Sequence, residues 1–168
     1  MTARCRLVSL LAPFVVLLAA CSGGGGGESP TMPRVLSTAQ VEFNSFGLVN
    51  DARSDNGVDP QLELREALSE VAREHSEAMR DGGFFRHEDE LGRRVGERLA
   101  DAGISFQVAA ENLAMVTNSP VPATWAHDRL MESAEHRPNI LNPDVELIGV
   151  GVATDGSTFW LTQVFIGQ

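Results

Sequence analysis

Apolar side chains recur at two spacings along this chain, and the change from one to the other divides it. Val41, Leu48, Val49 and Ala52 repeat at the interval of a helix with one buried face. Ser37 followed by Gln40 has the form of a capping box at its start, and Asn56-Gly57 marks its end. A second helix is expected over residues 61–80, with Leu64, Leu68, Val71, Ala72, His75, Ala78 and Met79 on one face and Asp81-Gly82-Gly83 as its stop. Leu91, Val95, Leu99 and Ala102 predict a third helix closed by Gly103. An extended piece is expected over residues 106–113, and Pro120 and Pro122 open a fourth helix that reaches about Ser133. The period then falls to two. Ile148, Val150 and Val152 alternate with Gly149 and Gly151 as a half-buried strand, Asp155-Gly156 is a hairpin turn, and residues 159–166 return. Helices clustered first and a hairpin last make an α+β domain, an antiparallel sheet flanked by helices.

The first 36 residues follow neither spacing. Arg4 and Arg6 precede a short apolar run over residues 7–20, interrupted by Pro13 and too short to span a bilayer. This is the architecture of a secretory signal peptide. The run ends in Leu18-Ala19-Ala20-Cys21, which resembles the lipobox of bacterial lipoproteins, so Cys21 is expected to carry the lipid. Residues 21–36, with five successive glycines from Gly23 to Gly27 and then Pro30 and Pro33, are expected to form a flexible tether. Residues 37–168 remain for one domain, anchored outside the cytoplasm. Ser22, rather than an aspartate, follows Cys21; by resemblance to lipoprotein sorting, this implies the outer membrane where a cell has two.

Cysteine and charge narrow the partners. Cys5 would leave with the signal peptide, so Cys21 would stand alone and no disulfide within the mature chain is expected. The net charge of −10 becomes more negative once the Arg-bearing leader is removed, and an acidic body suits nucleic acid poorly. A monomer is expected.

Several short segments occur in a telling order: Asn50-Asp51-Ala52-Arg53, residues 72–79 (AREHSEAM), Gly83-Phe84-Phe85-Arg86-His87, Ala110-Glu111-Asn112-Leu113-Ala114, residues 133–141 (SAEHRPNIL), Ile148-Gly149-Val150-Gly151-Val152 and residues 160–165 (WLTQVF). Together, over about residues 38–168, they resemble the bacterial branch of the CAP superfamily, the cysteine-rich secretory, antigen 5 and pathogenesis-related proteins. The resemblance implies an α–β–α sandwich with a cleft of two histidines and two acids able to hold a divalent cation. His87 matches the first histidine and Glu111 the glutamate of the Gly-Glu-Asn motif, where Ala110 replaces the glycine. Ser133 falls where many eukaryotic members have the second acid, and Trp160 where they have the second histidine. His136 is expected to supply the missing imidazole, as in other bacterial members.

The expected cleft is therefore His87, Glu111, His136, Trp160 and Ser133, with His87, Glu111 and His136 as the set for zinc or a similar cation. His87, Glu111 and His136 each also have a plainer reading. His87 is equally a loop histidine bonded to backbone, Glu111 a cap on backbone amides, and His136 a helix-end histidine. His75 reads as a satisfied core histidine and His127 as a surface one; Arg137 and Asn139 read as pins for the following loop. His87-Glu88 begins like a zincin motif, but Leu91 stands at the second histidine's place. His75-Ser76 is no hydrolase dyad, since neighbours on a helix point apart.

With no complete catalytic set, the first functional reading is a non-catalytic envelope module that binds a small molecule, lipid or glycan. A metal-assisted hydrolase of envelope peptide or glycan is the second. A scaffold for another envelope protein is the third.

Overall fold

The computed structural model describes residues 36–168; the expected signal peptide, Cys21 and nearly all of the tether lie outside them. Five helices and four strands follow in the order α1 (Thr38–Asp55), β1 (Glu63–Leu64), α2 (Glu66–Gly82), α3 (Val95–Asp101), β2 (Val108–Thr117), α4 (Pro122–Glu132), α5 (Arg137–Ile140), β3 (Leu147–Thr154) and β4 (Thr158–Gly167). One sheet orders its strands β1-β3-β4-β2, with helices on both faces, so the expected α–β–α sandwich is present. The three long strands pair antiparallel, with Val150 opposite Gln163 and Glu111 opposite Val164. The two-residue β1 adds to the far edge in parallel, Leu64 opposite Ile148, so the sheet is mixed.

Helix α1 begins where Ser37 predicted it. The Ser37 hydroxyl accepts the Gln40 amide at 3.2 Å, while the Gln40 side chain bonds Asn44 instead of closing the box. The second helix starts later than its periodicity indicates. Asn50 on α1 clamps Leu62 through both its backbone N–H and its carbonyl, at 2.9 and 3.1 Å, holding that residue extended so that β1 can pair before α2 opens. The third helix is likewise shorter. Asp89 Oδ1 accepts the amides of Leu91 and Arg93, which keeps this stretch a loop and leaves Leu91 77% exposed. The four-residue α5, centred on Asn139, had no periodic signal.

The core lies in two layers. Val41, Val49 and Ala52 of α1 and Ala126 and Leu130 of α4 meet Ile148, Val150, Val152, Phe159, Leu161 and Phe165 on one face. Leu68, Val71 and Ala72 of α2 with Leu99 of α3 cover Val164 and Ile166 on the other. Strand β3 is buried on both faces rather than half-buried. Its two glycines let the α2 backbone lie directly on the sheet. A Cβ at Gly149 would stand 2.2 Å from the Leu68 carbonyl carbon, and one at Gly151 would stand 2.1 Å from the Arg73 nitrogen. Ser76 fastens the same contact, donating to the Gly151 carbonyl at 3.0 Å and sharing a hydrogen bond with Thr162.

Arg53 is fully buried and makes no salt bridge among the described residues, although Asp59 acts on it at longer range. Its guanidinium donates instead to the carbonyls of Ile140, Asn142 and Pro60 at 2.9, 2.7 and 2.8 Å, tying α1 to the chain that follows α5. Burial lowers its pKa from the ordinary value.

Candidate functional site

The site gathers around Glu111 and Asn112 on the edge strand β2. Glu111 shares a sheet face with its partner Val164, so its carboxylate would meet the apolar layer under α2 and α3 unless paired. It is paired twice. His87, from the loop after α2, donates Nδ1–H to Oε1 at 2.8 Å, and Arg98 of α3 forms a close ion pair with Oε2. The carboxylate side chain is 2% exposed and the His87 ring 47%, so the imidazole forms the wet end of the cluster. Arg98 Nη1 also donates to the carbonyls of His87 and Arg93 at 2.9 and 3.0 Å, fixing the loop that presents the histidine.

Asn112 points to the opposite face and anchors the other half. Its Nδ2 donates to the His136 carbonyl at 3.3 Å and to Gln163 Oε1 at 3.2 Å, and Gln163 donates on to Ser45 of α1 at 3.0 Å. Asn139 of α5 donates to Asn112 Oδ1 at 2.9 Å and to the Glu111 carbonyl at 3.4 Å. His87 and Glu111 therefore touch, and His136 is moored at the adjoining residue. Its ring bonds Ser133 Oγ at 2.8 Å rather than the glutamate. Ser133 Oγ also accepts the amides of Glu135 and His136, both at 3.3 Å, so its own proton is the one directed at His136 Nδ1. That hydrogen-bond pattern assigns a neutral His136 with its proton on Nε2.

The two imidazoles are tuned apart. The hydrogen bond to Glu111 raises the His87 pKa above the ordinary histidine value against an opposing desolvation. Burial, then the charge of His87, lowers that of His136.

The remaining expectations divide. Trp160 stands on β4 opposite Met115 and Ala153, four residues from the partner of Glu111, or roughly 13 Å along the strand. It is not part of the cluster. His75 is a core histidine but only half satisfied: its Nε2 bonds the Arg86 carbonyl at 3.0 Å, and its Nδ1 has no partner among the described residues. His127 is buried on α4 rather than on the surface, because its helix packs that side onto α1, and burial lowers its pKa. Asn139 pins Glu111 and Asn112 rather than a loop, and Arg137 donates to Asn56 at 3.0 Å. Arg98 was missed. Its position between Val95 and Leu99, on the apolar side of its helix, is the signal that could have flagged it.

The expected cation set is not assembled. Among the described residues no group of three His, Cys, Asp or Glu side chains stands close enough to hold a metal ion, His87, Glu111 and His136 included. The reason is geometric: Glu111 faces His87 Nδ1 and the Arg98 cation, while the His136 ring turns to Ser133. The residues present do not fit a resident metal.

An α–β–α sandwich with an imidazole–carboxylate cluster on its edge strand defines a recognisable kind of small domain. The chain belongs to the cysteine-rich secretory protein (CAP) family, whose model matches residues 46–165. It is 38% identical over 134 residues to YkwD of Bacillus subtilis, covering 79% of this chain and 49% of that protein. It is 33% identical to the B. subtilis membrane protein YlbC over 66% of this chain and 31% of the relative. The chain thus spans half of the first relative's length or less. Among solved structures, an extracellular SCP-domain protein of Bacillus anthracis superposes with a TM-score of 0.67 at 31% identity, over 80% of this chain and 45% of that one. An outer surface protein of Borrelia burgdorferi gives a TM-score of 0.71 at 18% identity, over 82% and 99% of the two chains, a likeness of fold alone. Among the described residues of the present chain, no helix is long and apolar enough to cross a membrane.

Proposed function

We propose that this chain is an extracytoplasmic, envelope-anchored binding module, tethered by a lipid on Cys21, whose cleft at β2 holds a small ligand, lipid or glycan through His87 and His136. The observation that carries this reading is the double engagement of Glu111. A buried carboxylate held by Arg98 and His87 acts as a positioning group that sets the tilt of the His87 ring, with no second acid or imidazole gathered beside the pair among the described residues. What remains for a ligand is imidazole. His87 Nε2 has no partner among the described residues and belongs to a half-exposed ring whose tilt Glu111 sets. His136 offers a neutral ring at the neighbouring mooring. One imidazole of raised and one of lowered pKa make the two sides of the cleft unlike, with His87 holding its second proton to higher pH than His136. A solved CAP-fold structure described with Zn2+ is only 10% identical to this chain, with a TM-score of 0.51, so its ion is not carried over.

The test is equilibrium binding of the purified mature lipoprotein to soluble cell-wall glycan fragments and to lipid vesicles. Binding to one of them should weaken about fivefold or more in His87→Ala and in His136→Ala, the loss expected for one hydrogen bond of about 1 kcal/mol. Unchanged affinity in both variants would remove the cleft from the function.

One observation favours a second reading. A carboxylate bonded to Nδ1 of an imidazole whose Nε2 faces solvent is the arrangement that orients a general base. Under that reading, the same glycan fragments, or envelope peptides, would be hydrolysed. Turnover would disappear in both His87→Ala and Glu111→Gln. Intact fragments after prolonged incubation with wild type would leave the binding reading in place.

A further inference from the structure

The sheet has two edges, and they are finished differently. On the β3 side, β1 pairs with Leu147 and Ile148, Ser69 Oγ accepts the Val150 N–H at 3.2 Å, and Glu42 accepts that of Val152 at 3.1 Å. An open strand edge is a template for further pairing, and native proteins block it with such devices. On the β2 side, among the described residues, the one backbone group bonded outside the sheet is the Glu111 carbonyl, held by Asn139.

Hydrogen bonding along β2 alternates. Just past its end, Asn118 donates to the opposite Ser157 carbonyl at 2.8 Å, so the even-numbered residues bond β4 and the odd-numbered ones turn away. Leu113 is covered. Met115 and Thr117 are exposed, and their backbone N–H and C=O groups have no partner among the described residues.

A groove of about 340 Å3 adjoins this stretch, between the end of β2 and the start of α4. Met115, Val121 and Trp125 line it, and each is about half exposed. No charge interrupts residues 112–126. Beyond them, Arg129 stacks on Trp125 at 4.9 Å and donates to Glu132 at 3.2 Å. Asp128, which borders the other side of Trp125, has no hydrogen bond or ion pair among the described residues.

An open N–H and C=O at every second residue is the complement of another extended main chain. We propose that the end of β2 is a docking edge for an extended segment of another protein, which adds to the sheet as a further short strand. An apolar side chain of that segment fills the groove against Met115, Val121 and Trp125, and a basic one meets Asp128. A second copy of this chain is a poorer match, because it brings the same unpaired Asp128 and the same net charge of −10. This goes beyond the His87–His136 cleft and does not depend on it.

The experiment is titration of the 15N-labelled mature chain with a capped heptapeptide, lysine at both ends and valine alternating with threonine between. Saturable shifts are expected at the Met115 and Thr117 amides and at the Trp125 indole. Those two amides should exchange rapidly with solvent in the free chain and more slowly with peptide bound. The dissociation constant should rise about fivefold or more, the loss of one hydrogen bond or its equivalent, in Thr117→Pro and in Trp125→Ala. The first removes an N–H that β4 does not use, and the second opens the groove without touching the strand. Exchanging the terminal lysines for glutamates should weaken binding, and methylating the peptide nitrogens should abolish it. Leu91→Ser, at an exposed apolar position away from the groove, should bind as wild type does. Absence of saturable shifts into the millimolar range, undiminished binding of the methylated or glutamate-ended peptide, or affinity indifferent to both substitutions would each overturn the proposal. A dimer formed through Met115 and Thr117 without peptide would overturn it too, by giving the edge to a second copy.

Discussion

Arg98 and Glu111 form the interaction on which the site most depends. Both side chains are buried, so removing the cation strands a carboxylate in an apolar layer. Arg98→Met should destabilise the fold by about 3–5 kcal/mol, read from urea unfolding, and should also disorder the ring of His87. The histidines supply a pH test with opposite signs. His75, His127 and His136 have folded pKa values lowered by burial. The stability they contribute is present above the unfolded value near 6.5 and is lost as pH falls through their folded values. His87, raised by Glu111, contributes stability below about 6.5 and loses it as pH rises through its folded value. Imidazole NMR titration should therefore find His87 deprotonating last and His136 well before it, and Glu111→Gln should bring His87 down. Three lowered rings against one raised predict net weakening on acidification, with His127→Gln flattening that slope in unfolding measured at successive pH values.

Elements were readable where a single strip of apolar residues decides the geometry. Helix α1, the hairpin of β3 and β4 and the breaks at Asn56-Gly57 and Gly83 followed from spacing and turn chemistry. The start of α2 did not, because Asn50 reaches across to hold Leu62 extended, and no local pattern reports a clamp from twelve residues away. Strand β3 was misjudged for a related reason. Gly149 and Gly151 look like positions facing water, but a residue without a side chain also serves where another backbone must come close. Gly151→Ala puts a methyl into the Arg73 peptide and Gly149→Ala into that of Leu68. Each should cost about 1–3 kcal/mol or more in chemical denaturation, since backbone rather than a yielding side chain must move.

The family and the layered fold of the whole domain were readable because motif order constrains them together. The cluster at β2 was readable only in part. His87 with Glu111 came from their motifs, and His136 from its own. That Ser133 rather than Glu111 would take the His136 ring, that Trp160 would sit far along its strand, and that Arg98 would claim the second Glu111 oxygen depend on strand register and on side chains far apart in sequence. The proposed secretion and anchoring are read from residues 1–36, nearly all outside the described residues. Cys21→Ser is expected to move the protein from the membrane fraction to the soluble extracytoplasmic fraction, by fractionation and immunoblot, while leaving ligand affinity unchanged.

Ser45, Gln163, Asn112 and Asn139 form an unbroken chain from α1 through the sheet to the backbone of His136 and Glu111. Amides and a hydroxyl neither gain nor lose protons over the range in which imidazole does. Acidification therefore changes the charge that a visiting molecule meets while the footing beneath it stays put. Release or capture driven by pH at His87 would need no moving part, only a proton arriving on Nε2 of a ring that Glu111 already holds in place.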